Sequence, residues 1–325
     1  MTGIDSCSMR RGRALLLAAV VAAILSLGAA KPVGSADGTA CMDVGGEMKP
    51  ATIVGTPGND MLSGTPGPDV IAGLAGDDTI DGAAGDDLIC GGDGNDTLYG
   101  VDGADTLSGD GGDDFIDGGA EPQDGSDFVA YDGSPAAVTL NLVAAQATGW
   151  GTDVVRNVEG ISGSDFADTL TGGPAADQII GQLGNDTLNG MGGADFLSGS
   201  AGDDVEIGGP GEDTAYYWFA PAVNANLVTG RAAAGSWGRD RLSGIEDLDG
   251  SDHADRLTGN GGANWIRGMR GPDVIIAGGG PDIVEGREGN DKLDGGPGRD
   301  RGLGGPGRDK CRRIERKSSC ERRWR

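Results

Sequence analysis

The chain has 325 residues, 65 of them glycine, with 51 acids against 25 Lys and Arg, aromatics at only 4% and a formal net charge of −26. Glycine loses the most backbone freedom on ordering and dense negative charge repels itself, so an ordinary domain built round a large apolar core is excluded. Two classes remain, a disordered chain or a fold held by something other than apolar burial, such as bound cations, and phosphate repulsion excludes nucleic acid as a partner of the acidic body.

Residues 1–30 read as a targeting segment. Arg10, Arg11 and Arg13 precede an apolar run from Ala14 to Leu27 and the small residues Gly28, Ala29 and Ala30, the charged, apolar and small-residue order of a secretory signal peptide. Cleavage after Ala30 or Ala36 fits. The run is short for a membrane span, and nothing later is apolar enough to cross a bilayer, so the expectation is a secreted, extracellular or surface-associated protein with no membrane span once the signal is gone. A segment 31–54 follows. Loss of the signal removes Cys7 and leaves Cys41, Cys90, Cys311 and Cys320. An even set in an exported chain favours disulfides. Of the three connectivities, local pairing (Cys41 with Cys90, Cys311 with Cys320) is the expected one. Four cysteines with no CxxC pair and a single His argue against zinc.

From Gly55 the chain divides every nine residues without a gap: GTPGNDMLS, GTPGPDVIA, GLAGDDTID, GAAGDDLIC, GGDGNDTLY, GVDGADTLS, GDGGDDFID. Positions one and four are always Gly, position six always Asp, and position eight Leu or Ile. An eighth copy, Gly118 to Ala130, carries four extra residues around Glu121 and Pro122 and resumes at Gly125 and Asp127. Residues 55–130 form a first block, 163–216 a second, beginning GSDFADTLT, and 250–312 a third, beginning GSDHADRLT. In the third, Asn264 replaces Asp in one copy. Glu206, Ala215 and Gly302 occupy the aliphatic position of weaker copies.

Two spacers, 131–162 and 217–249, separate the blocks and resemble each other. WGTDVVRNVEG matches WGRDRLSGIED at a spacing of 87, pairing Trp150 with Trp237, and each spacer has an alternating segment, AVTLNLV or AVNANLV, that predicts a strand. Their Trp and Tyr residues are expected to form larger apolar clusters. A tail, 313–325, closes the chain; from Arg299 onward there are eleven Lys and Arg against four acids.

A carboxylate every nine residues amid glycines suits a hard cation that takes six to eight oxygen ligands, backbone carbonyls included. The triplet after each Asp has the character of a short strand, so each unit is a loop and then a strand. Two units make one flattened coil, which stacks residues 18 apart: Asp60, Asp78, Asp96 and Asp114 on one edge, Asp69, Asp87, Asp105 and Asp127 on the other. One aliphatic per unit does not offset the entropy of ordering nine residues, so cation binding and folding are expected to be coupled.

Gly91, Gly92, Gly94, Asp96 and Leu98 fit every fixed position of G-G-x-G-x-D-x-U-x, and the units resemble the RTX, or hemolysin-type, calcium-binding repeats. The resemblance runs from about Gly55 to Arg312, although most copies lack the second Gly (Thr56, Leu74, Val101). It implies an all-β, right-handed parallel β-roll solenoid, here in three blocks joined by two β-containing spacers, with aliphatic side chains inward. It implies several bound Ca2+ ions. The ligand candidates are Asp60, Asp69, Asp78, Asp87, Asp96, Asp105, Asp114 and Asp127 in the first block, Asp177, Asp186, Asp195 and Asp204 in the second, and Asp273, Asp282, Asp291 and Asp300 in the third.

No catalytic constellation is present. His253 stands in GSDHADRLTG where Phe166 stands in GSDFADTLTG, which makes it a packing or loop residue, and no GxSxG, HExxH or phosphate-binding loop occurs. The expected function is a non-enzymatic, secreted calcium-binding β-roll acting as a structural, adhesive or surface-associated module. Its candidate partners are calcium and a cell-envelope or extracellular polysaccharide. The alternative is a polysaccharide-acting factor related to calcium-dependent alginate epimerases.

Overall fold

The computed structural model describes residues 40–44, 47–119 and 126–320. Residues 1–30, where a signal peptide is expected, the insert at Glu121 and Pro122, and the end of the basic tail lie outside the described residues. Strands of two to six residues make up almost all regular structure. Among the described residues the exception is a single 3-10 turn, Gly235–Trp237. The protein is all-β, a parallel β-solenoid of the kind the repeats predict. It divides into two compact units, Met1–Gly133 and Ser134–Arg325.

The described part of the first unit opens with an antiparallel hairpin, Ala40–Met42 against Met48–Pro50. Two parallel rows follow. One stacks Met61–Ser63, Thr79–Asp81, Thr97–Val101 and Phe115–Gly119. The other stacks Ile53–Val54, Val70–Ala75, Leu88–Asp93, Thr106–Gly111 and Phe128–Ala130. Thr79 lies beside Thr97 and Ile71 beside Ile89, an offset of 18 in both rows. At the last coil Phe128 lies beside Thr106, an offset of 22 that absorbs the four-residue insert.

The alternation of strand side chains turns position eight inward. Ile71, Ile80, Ile89, Leu98, Leu107 and Ile116 are all fully buried. The second unit has inward columns of its own, Leu170 and Leu188 in one row and Ile161, Ile179 and Leu197 in the other. Gly302, which lacks a side chain at that position, is filled from outside the repeat: a β-carbon there would meet Ile314 Cδ1 at 2.6 Å.

The spacers are part of the stack. Thr139–Asn141, Gln146–Thr148 and Thr152–Arg156 form an antiparallel meander whose first strand pairs in parallel with Thr169–Thr171. Asn224–Asn226, Arg231–Ala233 and Arg239–Ser243 form a second. Arg239–Ser243 continues in parallel from Val205–Ile207, and Asn224–Asn226 pairs in parallel with Arg256–Thr258. The expected aromatic clusters form only in part. Tyr131, Tyr216 and Tyr217 are buried, while Trp150, Trp218 and Trp237 are half-buried at the surface. His253 is exposed in its loop, its amide donating to Ser251 Oγ at 3.1 Å.

Cys311 and Cys320 form a disulfide. Cys41 and Cys90, expected to pair, are instead buried thiols. They share one apolar cluster with Ala72 and Leu88, and the Cys41 thiol donates to the Ile71 carbonyl at 3.3 Å. A hydrogen bond with Cys41, together with burial, pushes the Cys90 thiol well above its ordinary range.

Candidate metal centres

The position-six carboxylates form ladders. The Asp60 amide donates to Asp78 Oδ1 at 2.7 Å, Asp78 to Asp96 at 2.8 Å, and Asp96 to Asp114 at 2.8 Å. On the opposite edge Asp69 donates to Asp87, Asp87 to Asp105 and Asp105 to Asp127, at 2.8 to 2.9 Å. In the second unit Asp177 donates to Asp195, Asp186 to Asp204, Asp273 to Asp291 and Asp282 to Asp300, at 2.8 to 3.0 Å. All sixteen sequence-derived candidates therefore stand in these columns.

Except at Asp60, Asp69 and Asp177, each candidate carboxylate uses one oxygen to accept a backbone amide of the coil before it. The second oxygen of Asp78, Asp87, Asp96, Asp186, Asp195, Asp204, Asp273, Asp282, Asp291 and Asp300 is buried with no hydrogen-bond partner. It lies under the position-one glycine. A β-carbon on Gly91 would overlap Asp96 Oδ2 and meet the Gly109 carbonyl oxygen at 2.8 Å, so only glycine leaves this oxygen-lined space open. Position four is glycine for another reason: a β-carbon on Gly94 would overlap the Gly76 carbonyl of the preceding coil.

Such burial raises carboxyl pKa values. Desolvation, the leading cause, pushes Asp186 and Asp273 up to about 8, Asp195 to about 7, and Asp87, Asp96 and Asp291 to about 6. A buried carboxylate whose oxygen has no donor needs either a proton or a cation.

A family model described as the RTX calcium-binding nonapeptide repeat (four copies) matches residues 54–89, 91–121, 161–188, 180–215, 249–284 and 276–311, more than half of the chain. The chain belongs to the RTX calcium-binding repeat family. Comparison with curated proteins gives no match. RTX nonapeptides are calcium-binding motifs, and the donors in this chain fit that ion. At Gly73, Gly91 and Gly100 a hard carboxylate oxygen and a carbonyl oxygen border the same space, the donor type calcium prefers. Among the described residues no three acidic, His or Cys side chains converge into a ready-made metal cluster. A calcium ion in such a loop would be held by one carboxylate per loop together with backbone carbonyls.

The RTX columns are not uniform. Asp60 Oδ2 accepts the Thr56 hydroxyl at 2.9 Å, and Asp69 Oδ2 accepts the Thr65 amide and hydroxyl at 2.7 and 2.8 Å. Those bonds lower the Asp69 pKa. Asp177 Oδ2 accepts the Gly173 amide at 2.6 Å. Three of the sixteen candidates thus satisfy their second oxygen within their own loop. Asp168 and Asp255 do the same through Ser164 and Ser251.

Sequence reasoning passed over several column members. Asp213 has the same buried, unpartnered Oδ2. Asp240, from the second spacer, accepts the Asp204 amide at 3.3 Å. Glu246 accepts the Asp213 amide at 3.1 Å and Glu315 the Asp300 amide at 2.6 Å. The signal was present in the spacing: Asp240 and Leu242, like Glu246 and Leu248, keep the acid-x-aliphatic interval of positions six and eight.

Proposed function

We propose that this RTX chain is a secreted structural module whose coils fold on binding several calcium ions at the position-six columns. One observation carries the reading: the recurring buried Oδ2, unpartnered at ten of the sixteen candidates. A proton or a hard cation satisfies such an oxygen, and at neutral pH in calcium-rich surroundings the cation wins. Asp78, Asp87, Asp96, Asp186, Asp195, Asp204, Asp273, Asp282, Asp291 and Asp300 are the primary ligands in this reading. Asp105, Asp114 and Asp127 continue the same ladders, and Asp60, Asp69 and Asp177 contribute weaker sites because their loops already supply donors. Export fits the Arg-flanked apolar run at residues 10–30, and extracellular calcium modules work with dissociation constants on the order of 10⁻⁴ to 10⁻³ M.

Among the described residues no helix is long and apolar enough to cross a membrane. The working surface is the solenoid itself, presented as a scaffold or adhesive face toward envelope or extracellular polysaccharide. Circular dichroism during calcium titration tests the folding claim. The expected result is weak structure in chelator and a β signal that grows with calcium. Full β structure in chelator at neutral pH would sink it.

A further inference from the structure

Glu206 interrupts the inward column of the second unit. It stacks in register between Leu188 and Leu242, and its side chain is 0% exposed. One carboxylate oxygen accepts the Gly199 amide at 2.9 Å. The other is buried with no hydrogen-bond partner, an arrangement that costs several kcal/mol unless something satisfies it (roughly 2–7 for an unpaired polar group, more for a charge). The groups that act on it electrostatically are Asp240 and Asp204, both of its own sign.

A second group points the same way. The Tyr217 hydroxyl is buried without a geometric hydrogen-bond partner, and the residue is only 2% exposed. It lies in the field of Glu206, Asp240 and Asp204, facing the Asp240 carboxylate. Asp204 adds another unpartnered Oδ2, against Gly199, the residue whose amide holds Glu206. The interior at the second spacer therefore brings Asp204 and Glu206 against Gly199, with Asp240 on the Asp204 amide and the Tyr217 phenol beside Asp240.

We infer that Glu206 is an added metal ligand: with Asp204, Asp240 and the Tyr217 hydroxyl it holds a calcium ion inside the roll, at a site the nonapeptide motif does not contain. This rests on the calcium reading above. The three carboxylates do not form a closed cage by themselves; the flexible Glu206 side chain swings toward Asp204 as the ion enters, and backbone carbonyls complete the oxygen shell. The chain carries its own control. Ile116 holds the corresponding position ahead of the first spacer and is fully buried and apolar. Tyr131 and Asp153 occupy places like those of Tyr217 and Asp240, so only the second copy has the central acid.

Replacing Glu206 with Leu restores the aliphatic column and separates the two readings. Bound calcium on the full chain is counted by equilibrium dialysis, and denaturant unfolding is followed in calcium and in chelator. A ligand role predicts that Glu206→Leu binds one ion fewer, unfolds earlier than wild type in calcium, and keeps more residual β signal than wild type in chelator. Glu206→Gln keeps the shape and also loses the ion. Tyr217→Phe lowers terbium emission excited through tyrosine. An acid merely misplaced in a core predicts that Glu206→Leu is more stable in both conditions with its ion count unchanged, and that result overturns the assignment. Wild type reports the broader reading separately. If it gains structure with calcium while Glu206→Leu keeps every ion, this site alone is lost; if wild type binds no calcium, both readings are lost.

Discussion

The amide of Asp78 is held by the carboxylate of Asp96, 2.8 Å away and one coil further along the chain. One side chain thereby ties two coils together with Oδ1 and keeps Oδ2 for the loop. Asp96→Asn preserves the first task and removes the charge needed for the second. The expected variant keeps its β signal in saturating calcium, needs more calcium to reach it, and binds fewer ions by equilibrium dialysis. Asp96→Ala also strands the Asp78 amide, and costs about 1–3 kcal/mol beyond Asn in denaturant unfolding.

Position two is left-handed in most copies, though not at Thr56, Thr65, Ser164, Gly173 or Ser251. Gly92 has φ of 107°, yet Leu74 stands at 86°, Val101 at 84°, Met191 at 70° and Met269 at 73°. Such angles are strained for side-chain-bearing residues, most of all a β-branched one. Val101→Gly is expected to raise stability by about 1 kcal/mol, the relieved strain outweighing the extra freedom of the unfolded chain. Gly94→Ala must act oppositely, by more than about 3 kcal/mol, because its methyl group would enter the Gly76 carbonyl. Thermal unfolding in calcium ranks the two variants against wild type.

The calcium-free roll should be an acid-stabilised fold. Desolvation holds Asp186 and Asp273 at about 8, Asp195 at about 7 and Asp96 at about 6, all above the ordinary Asp value near 3.9 in an unfolded chain. Groups raised on folding contribute stability that is full below the unfolded value and lost as pH climbs through the folded one. In chelator the β signal is therefore expected to be stronger at pH 5 than at pH 8. In limiting calcium the trend reverses, because protons displace the ion. A chelated protein that loses structure on acidification would contradict the burial argument.

The Cys311–Cys320 bridge closes a loop of nine residues at the last coil. Chain-entropy reasoning gives such a loop about 2.5 kcal/mol. Reduction, or paired serine substitution, is expected to expose amides from Lys292 onward to hydrogen exchange while leaving the coils near Leu98 protected. Cys41 and Cys90 should take up thiol reagent only on unfolding, since both are buried.

Much of this architecture was legible in the chain itself. The nine-residue period set the 18-residue register seen between Thr79 and Thr97, and Leu98 lies inward as its place in the unit required. What escaped was context. Thr56 and Thr65 look like harmless replacements for a second Gly, but their hydroxyls reach the carboxylates of Asp60 and Asp69. Asp240 and Glu246 sit in a spacer whose glycine pattern is broken, so their spacing to Leu242 and Leu248 did not stand out. Trp237 looked like core and is half-buried, because its coil ends in the turn Gly235–Trp237 rather than in a strand. Period reveals what repeats; it is silent about a side chain that substitutes for a neighbour's missing part.

The buried position-six carboxylate bonds run one way, each later coil supplying the acceptor for the coil before it, whereas the exposed position-five acids Asp77 and Asp86 accept from the coil after them. Asp291 relies on Asp309, and Asp300 on Glu315. The solenoid is thus polar in its dependence on its ends. Trimming coils from the beginning leaves carboxylates that water can solvate, whereas trimming from the end strips buried amides of their only acceptors and passes the fault back along the column. Glu315, longer by one methylene than the residue it replaces, serves as the terminator that lets such a column stop.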